Sequence, residues 1–203
     1  PYWRYEGWGE PAALNGVVHY VYSASAGSDP GNVYYIRSTD MGVTFSAPMQ
    51  LNIDSDTTKA QWGPSLSVSP TGSLLATWYD ERPRMAASCQ PSSPATPCYQ
   101  TYSRRSNDNG VSWLPDMPLS DVASPLPLQV DPGIIAVYAG DYDYGSAPSA
   151  KHVTSWVDGP TPLNGASQPH AYTDTTFSVA ATHHNPVPPH THRPAAPSEP
   201  HPP

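Results

Sequence analysis

An eight-residue pattern occurs twice in this chain, at residues 38–45 and 106–113. Both copies read Ser-x-Asp-x-Gly-x-(Thr/Ser)-aromatic, and both follow a strand-like run that ends in a basic residue. Each octapeptide predicts a tight hairpin turn, because the Asp carboxylate can accept hydrogen bonds from turn N–H groups and the Gly can adopt a positive φ. A recurrence of this length indicates repeated structural units. The aromatic residue that ends each copy is expected to pack between neighbouring sheets.

The composition favours strands over helices. The chain has 203 residues with 14 Gly, 27 Pro, 13 Tyr and 6 Trp, and short strand-like runs separated by Gly and Pro turns predict a sandwich, barrel or propeller. No long segment carries the 3.6-residue apolar period of a helix. The net charge of −8 argues against a nucleic-acid partner. No apolar run approaches the roughly 18 residues of a membrane span.

The octapeptide resembles the Asp-box of the sialidase-like, or BNR-repeat, β-propeller family. In that family the box joins the third and fourth strands of a four-stranded blade and lies away from the substrate face. The resemblance therefore implies an all-β fold of four-stranded antiparallel blades, and it gives the boxes a structural role. The residues that match the box are Ser38, Asp40, Gly42 and Phe45 in the first copy and Ser106, Asp108, Gly110 and Trp113 in the second.

The resemblance divides the chain into about three blades, over residues 8–53, 58–120 and 130–182. The third blade lacks an octapeptide and a fourth strand. A sialidase-like propeller has six blades, so the chain corresponds to about the C-terminal half of a ring. It is therefore expected to be part of a longer protein, to pair with a second copy into one ring, or to stack into a larger assembly. Residues 183–203, rich in Pro and His, predict a disordered or polyproline II tail or linker, which is favoured over the alternative that its His residues bind a metal.

Two cysteines, Cys89 and Cys98, flank a loop rich in Pro and Ser. This spacing predicts a disulfide that closes a surface loop, with two free thiols as the alternative. A disulfide would indicate an oxidising compartment, so the chain is expected to be secreted or periplasmic. No second pair of Cys or His residues lies at the spacing of zinc ligands.

The resemblance also implies which face binds sugars. In such blades, the loop between the second and third strands and the loops between blades open on the binding face. Carboxylates transfer protons, Arg pairs with carboxylates and aromatic rings stack on sugars. The candidates on this face are Asp80 and Glu81 as catalytic acids and Arg82, Trp62, Tyr142 and Asp158 as substrate-binding residues.

Alternatives stay open for several of these residues. Asp80 and Asp158 both follow Trp-x at a strand end, a position that suits a turn cap as well as a catalytic acid. Asp141 and Asp143 carry the oxygen ligands that Ca²⁺ prefers, but their spacing is not that of an EF-hand loop. Apart from this Ca²⁺ candidate, no cofactor is predicted.

Two functions follow from these observations. The first is an extracellular sialidase-like propeller module that binds a carbohydrate or glycoconjugate and, if it is an enzyme, acts as an exo-sialidase-like glycoside hydrolase. Sialidases use a Tyr nucleophile and grip the substrate carboxylate with three Arg residues. No such triad is matched here, so no sialidase catalytic residue is transferred. The alternative is a non-catalytic structural or adhesive protein that assembles through its blades or exposed edge strands.

Overall fold

The structure is a computed structural model that describes residues 9–83, 98–121, 123–125, 144–158 and 174–180. These residues form twelve strands and no helix. Accordingly, no helix within these ranges is long and apolar enough to cross a membrane. Several predicted features lie outside the described residues: Cys89, Asp141, Tyr142, Asp143 and the tail at 183–203.

The first sheet is an antiparallel meander of four strands. It contains β1 (Glu10–Leu14), β2 (Val17–Ala26), β3 (Asp29–Ser38) and β4 (Met49–Gln50), paired in that order. The β1–β2 turn lies at Asn15 and Gly16, whose φ values of 50° and 80° suit the two-residue hairpin that Asn-Gly favours. The fourth strand is short, since it pairs with β3 only at Met49 and Gln50.

The second sheet repeats this order. It contains β5 (Gln61–Val68), β6 (Leu74–Asp80), β7 (Cys98–Ser106) and β8 (Met117–Pro118), and β9 (Ser124–Pro125) pairs with the start of β7. The third sheet has three described strands, β10 (Gly145–Ser146), β11 (His152–Asp158) and β12 (Asp174–Ala180).

The sheets pack face to face in chain order. Side chains alternate across each strand, so one face of a sheet points toward the sheet before it and the other toward the sheet after it. We call these the leading face and the trailing face. The first hydrophobic core joins the trailing face of the first sheet to the leading face of the second, and the second core joins the second sheet to Trp156 of the third. Successive antiparallel meanders stacked in this way confirm the prediction of an all-β, propeller-blade architecture.

The two octapeptides form turns with the same hydrogen bonds. In the first, Gly42 N–H donates to Ser38 Oγ (2.8 Å) and Thr44 N–H donates to Asp40 Oδ1 (2.9 Å). In the second, Gly110 N–H donates to Ser106 Oγ (2.9 Å) and Ser112 N–H donates to Asp108 Oδ1 (2.9 Å). In both turns the hydroxyl of the Thr or Ser also donates to the second carboxylate oxygen.

These bonds stabilise the ionised carboxylates. The Ser38 hydroxyl and then Thr44 lower the pKa of Asp40 to about 2. Ser112 and then Ser106 lower the pKa of Asp108 to about 2, in the same way. Both carboxylates therefore have a structural role, since their hydrogen bonds are made within their own turns.

The aromatic residues that end the octapeptides differ in their surroundings. Trp113 is half-buried and packs edge-on against Tyr35 of the first sheet, with ring centroids 4.9 Å apart. Phe45 is 44% exposed. The prediction that this aromatic packs between sheets is confirmed for Trp113; for Phe45 it stays a prediction, because the described residues include no sheet before the first one.

Candidate functional site

A hydrogen-bonded network of polar side chains lies at the end of the first two sheets opposite the octapeptide turns. Its first segment is at the start of β3, where Asp29 accepts hydrogen bonds from Gly31 N–H (3.0 Å) and from the Asn32 amide (2.8 Å). Since the first octapeptide follows the other end of β3, the network and the turn are separated by the length of the strand.

Asn52 carries the network from the first sheet to the second. Its side-chain Nδ2 donates to Asn32 Oδ1 (2.8 Å) and to Gln61 Oε1 (2.9 Å), and its side-chain Oδ1 accepts from Val33 N–H (2.9 Å). Asn32, Asn52 and Gln61 are all buried. A buried polar side chain is costly unless it is hydrogen-bonded, so each of these amides holds its neighbours in a fixed orientation.

Asp80 is the next member, at the end of β6. It is 0% exposed. Its carboxylate accepts hydrogen bonds from Trp78 Nε1 (3.1 Å), from Gln61 Nε2 (3.4 Å) and from the backbone N–H of Arg82 (2.8 Å). Arg82 also donates Nε and Nη2 to Asp80 Oδ2, at 2.9 and 2.7 Å. This environment favours the turn-cap interpretation of Asp80 over the catalytic one.

Arg82 is held on three sides. Its Nη2 bridges Asp80 to Asp116 Oδ2 (2.7 Å), and its guanidinium carbon lies 3.9 Å from the centroid of the Tyr102 ring. Burial opposes the charge on Arg82, but the hydrogen bonds that it donates to Asp80 and Asp116 outweigh this effect and raise its pKa above the ordinary value. The side chain remains 20% exposed, so Arg82 is fixed by its contacts and still reaches the surface.

Sequence reasoning missed Asp116. Its carboxylate also accepts a hydrogen bond from Ile53 N–H (2.8 Å), which ties the second sheet to the loop after β4. The residue stands 34 positions after Arg82 and has no motif around it. Only the pairing of β7 with β8 brings it to the arginine.

Glu81 and Trp62 are buried as well. A Glu81 carboxylate oxygen accepts from Ala60 N–H (3.3 Å), while Glu81 N–H donates to Ala60 carbonyl (3.0 Å). Trp62 packs with Tyr79 and Tyr99, at centroid distances of 5.6 and 6.1 Å. Trp62 therefore contributes to the core between the second and third sheets and not to an open stacking platform.

The remaining predicted site residues are not brought into the network by the described structure. Asp158 ends β11 and pairs with Asp174 in the backbone register. Tyr142, with the Ca²⁺ candidates Asp141 and Asp143, lies outside the described residues. Within the part of the chain that is described, no cluster of three or more His, Cys, Asp or Glu residues is arranged to hold a metal ion.

Cys98 begins β7, is fully buried and is not a free cysteine. Since Cys89 lies outside the described residues, the bond between the two cysteines stays a prediction.

The part of the network that reaches solvent is polar. It comprises the half-buried Asp29 and Asp54, the partly exposed Arg82 and the exposed Gln50, whose amide donates to Asn32 Oδ1 (2.9 Å). Asp54 accepts from Gln61 Nε2 (3.2 Å) and so belongs to the same network. Such a surface offers fixed hydrogen-bond acceptors and donors, which suits recognition of hydroxyl-rich ligands. Proton transfer to a substrate requires an acid within hydrogen-bond reach, and Asp80 and Glu81 have almost no accessible surface.

Comparisons with known proteins give similarity to solved structures only. No protein-family model and no curated protein match the chain. A Hadza microbial sialidase is 16% identical with a TM-score of 0.48, covering 76% of this chain and 32% of that one. An α-L-arabinanase of Penicillium chrysogenum is 15% identical with a TM-score of 0.43, covering 80% and 46%. A GH93 α-L-arabinofuranosidase of Fusarium graminearum is 11% identical with a TM-score of 0.43, covering 84% and 38%.

This chain thus spans less than half the length of these three structures. We transfer no residue role from them.

Proposed function

We propose that this chain is part of an extracellular, sialidase-like propeller module that binds carbohydrate at the network end of its sheets. The observation that carries the proposal is the fixed polar surface formed by Asp29, Asp54 and Arg82. Sugars present many hydroxyl groups, which donate well to carboxylates and accept from a guanidinium. Because the buried amides already hold these groups in place, binding would require little reordering of side chains.

The same geometry supports binding over hydrolysis by the described residues. Glycoside hydrolysis usually employs two carboxyl groups on either side of the scissile bond. The Asp80 carboxylate already accepts hydrogen bonds from the side chains of Arg82 and Trp78, and the buried Glu81 carboxylate accepts one from Ala60 N–H. A sugar bound at the surface would therefore meet Asp29 and Asp54 first.

An extracytoplasmic location belongs to the same proposal. Cys89 and Cys98 would form the disulfide predicted from their spacing, and disulfides persist in oxidising compartments. Mass spectrometry of the non-reduced protein, digested between the two cysteines, tests this bond directly. Recovery of both cysteines as free thiols from protein made in an oxidising compartment would contradict it.

An array of immobilised glycans tests the binding proposal. The wild-type protein is expected to bind at least one glycan class, and Asp54→Ala is expected to weaken that binding at least tenfold. Val43→Ser is the matched control, because Val43 is an exposed residue of the first octapeptide, at the opposite end of the sheet. Absence of binding to every glycan, or equal loss in both variants, would contradict the proposal.

A parallel assay with fluorogenic glycosides, including a sialoside, separates binding from hydrolysis. The proposal expects binding without turnover by this chain. Turnover that Asp80→Asn abolishes in a folded protein would instead restore the catalytic interpretation of Asp80.

A second candidate is a non-catalytic structural role. The observation that favours it is the leading face of the first sheet, which no described sheet covers. In this case the glycan array would be negative while the chain still assembles in solution.

A further inference from the structure

Three Asn-Gly steps occur in the chain, at residues 15–16, 109–110 and 164–165. The first two lie in described turns, and the third lies outside the described residues. An Asn that precedes a Gly is chemically reactive, because the backbone nitrogen of the Gly can attack the side-chain amide carbon of the Asn. Glycine has no Cβ to block this approach. The surroundings of each step therefore decide whether the reaction occurs in the folded protein.

The two described steps have nearly the same φ angles. Asn15 and Gly16 have φ values of 50° and 80°, and Asn109 and Gly110 have φ values of 58° and 79°. Asn15-Gly16 forms the hairpin between β1 and β2, whereas Asn109-Gly110 lies within the second octapeptide. A difference in their reactivity would therefore come from their contacts, and each step serves as an internal reference for the other.

The Asn109-Gly110 step is held by hydrogen bonds and covered by the first sheet. Asn109 Oδ1 lies 3.0 Å from Nε2 of the buried His19. Gly110 N–H donates to Ser106 Oγ (2.9 Å). Gly110 is buried, and a Cβ at this position would overlap the Tyr35 hydroxyl. Since the side-chain amide and the attacking nitrogen are both engaged in a buried turn, the reaction requires both contacts to break.

The Asn15-Gly16 step is exposed at both residues. Within the described residues, the Asn15 side chain and the Gly16 N–H have no hydrogen-bond partner. A Cβ at Gly16 would have Met41 Cγ as its nearest neighbour, at 3.7 Å. Met41 N–H donates to the Gly16 carbonyl (3.1 Å), which ties the hairpin to the first octapeptide. Because the tip of a hairpin can open without unfolding of the sheet, the Gly16 nitrogen can reach the Asn15 amide.

The equivalent turn of the second sheet shows that exposure belongs to this position in the blade. Counted from the first octapeptide residue with which each second strand pairs, Asn15 corresponds to Thr71. The second sheet has a sheet packed on each of its faces, and Thr71 is nevertheless exposed. The hairpin of the first sheet lies at the same end of its strands, so a sheet packed on either face would leave Asn15 accessible.

We propose that Asn15 is a site of spontaneous deamidation and isoaspartate formation in the folded protein, and that the fold protects Asn109. The Gly16 nitrogen gives its proton to solvent and bonds to Asn15 Cγ, the bond from Cγ to Nδ2 breaks, and ammonia leaves. The product is a cyclic succinimide. Water then opens this ring: attack at Cγ gives aspartate at position 15, and attack at the backbone carbonyl carbon gives isoaspartate. Water is the only co-reactant, and the net change replaces an amide by a carboxylate.

The two products differ in their effect on the first sheet. Aspartate leaves the backbone unchanged, whereas isoaspartate routes the chain through the side chain and lengthens the backbone of the turn. The length of a two-residue hairpin fixes the register of its strands, so isoaspartate disturbs the pairing of Leu14 with Val17. Since β1 holds Ala12 against the first core, β1 is the strand that isoaspartate is expected to loosen.

Peptide mapping by mass spectrometry measures the reaction at each Asn after incubation of the folded chain at mildly alkaline pH. Asn15 is expected to convert to a mixture of aspartate and isoaspartate, faster as the pH rises, because the attacking nitrogen must lose its proton. The denatured chain is the reference, where both steps are expected to react at similar rates. Folding is expected to slow the conversion of Asn109 by about tenfold or more relative to that of Asn15, because a buried turn opens less often.

Asn15→Gly is the matched variant, because Gly-Gly favours the same two-residue hairpin and lacks the reactive amide. Amide hydrogen exchange before and after the incubation is expected to show loss of protection in β1 of the wild type and none in the variant. The proposal is overturned if Asn15 stays intact in the folded chain while it converts in the denatured chain, or if Asn109 converts as fast as Asn15 in the folded chain. Equal loss of β1 protection in both proteins would overturn the effect assigned to isoaspartate.

Discussion

The two interfaces between successive sheets are built from different chemistry. Between the first and second sheets, apolar side chains meet, with Val21, Val33 and Tyr35 on one side and Leu74 and Trp78 on the other. Burial of apolar surface contributes about 25 cal/mol per Å², so the packing of these side chains stabilises the contact between the first and second sheets.

The interface between the second and third sheets is largely lined by hydroxyl groups. Aromatic side chains pack at one end, where Trp62, Tyr79 and Tyr99 contact Trp156. The buried residues beyond them are mostly Ser and Thr, namely Ser65, Ser67, Ser73, Thr77, Thr101, Ser103 and Thr154. Within the described residues, the hydroxyls of Ser65, Thr101 and Thr154 have no hydrogen-bond partner.

A buried histidine stands in each interface. His19 contacts the Tyr35 hydroxyl (2.7 Å) and Asn109 Oδ1 (3.0 Å) between the first two sheets. His152 contacts the Ser67 hydroxyl (2.7 Å) and the Ser73 hydroxyl (3.2 Å) between the second and third sheets.

Unpaired buried hydroxyls cost stability, and those of Ser65, Thr101 and Thr154 lie between the second and third sheets. We therefore expect the third sheet to be held less firmly than the first two sheets are held to each other.

Truncation of the largest buried side chain in the first interface should have the largest effect. Trp78→Ala is expected to lower the free energy of unfolding by about 3–5 kcal/mol, because it leaves a cavity and removes a donor from Asp80. Urea denaturation measures this value. The matched variant Trp156→Ala should loosen the third sheet while the first two sheets remain folded. Complete unfolding of both variants at the same urea concentration would contradict the comparison.

Acid is expected to have the second-largest effect, by weakening the interface between the second and third sheets. Burial, and then the charge of Arg105, lowers the pKa of His152 to about 4, whereas an unfolded His titrates near 6.5. The unfolded chain therefore binds the proton more readily, so stability is fully present above about pH 6.5 and is lost as the pH falls toward 4. The expected loss is about 3 kcal/mol for this residue. Burial also lowers the pKa of His19, which adds a loss of the same sign.

Unfolding free energies between pH 7 and pH 4 test this dependence. His152→Leu is the informative variant, because Leu74 is the residue at the equivalent position of the second sheet. It should flatten the pH profile in that range although it leaves the Ser67 and Ser73 hydroxyls without their partner. An unchanged profile would show that His152 is not the group that titrates.

A pair of hydroxyl deletions should separate satisfied from unsatisfied groups in the same interface. Ser67→Ala removes the partner of His152 Nδ1 and is expected to cost about 1–3 kcal/mol. Ser65→Ala removes a hydroxyl that has no partner in the described structure and is expected to be neutral or slightly stabilising. Thermal unfolding of the two variants side by side measures the difference, and equal losses would contradict it.

The smallest predicted effect compares the two octapeptides. Met41 and Asn109 occupy the same turn position with φ values of 60° and 58°. Asn tolerates this left-handed conformation better than Met does. Met41→Asn is therefore expected to raise the free energy of unfolding by about 0.5–1 kcal/mol, whereas Asn109→Met should lower it and also remove the bond to His19. Destabilisation by Met41→Asn would contradict this explanation.

Local features of this molecule were predictable from sequence, and contacts between distant residues were not. The octapeptides determine their own turns, since each Asp bonds a residue four positions later. Asn15 and Gly16 likewise specify the β1–β2 hairpin. Their hydrogen bonds close within one turn, so neighbouring sheets have little influence on them.

The candidate site depends on burial, which a local pattern does not reveal. The pattern Trp-x-Asp at the end of β6 is compatible with Asp80 as a turn cap or as a catalytic acid. The turn cap is favoured because Arg82 and Gln61 donate hydrogen bonds to Asp80, and Arg82 is itself held by Asp116. Phe45 and Trp113 end the same motif, yet within the described residues Trp113 packs against a neighbouring sheet and Phe45 does not. These outcomes depend on which elements meet in three dimensions.

Amide hydrogen exchange of the wild-type protein tests the difference between the two interfaces most directly. The free energy of opening for amides of β3 and β6 is expected to exceed that of β11 by about 2 kcal/mol or more, because a weakly held sheet opens without global unfolding. Equal protection of β11 and β6, or greater protection of β11, would contradict the claim that the apolar interface is the stronger one.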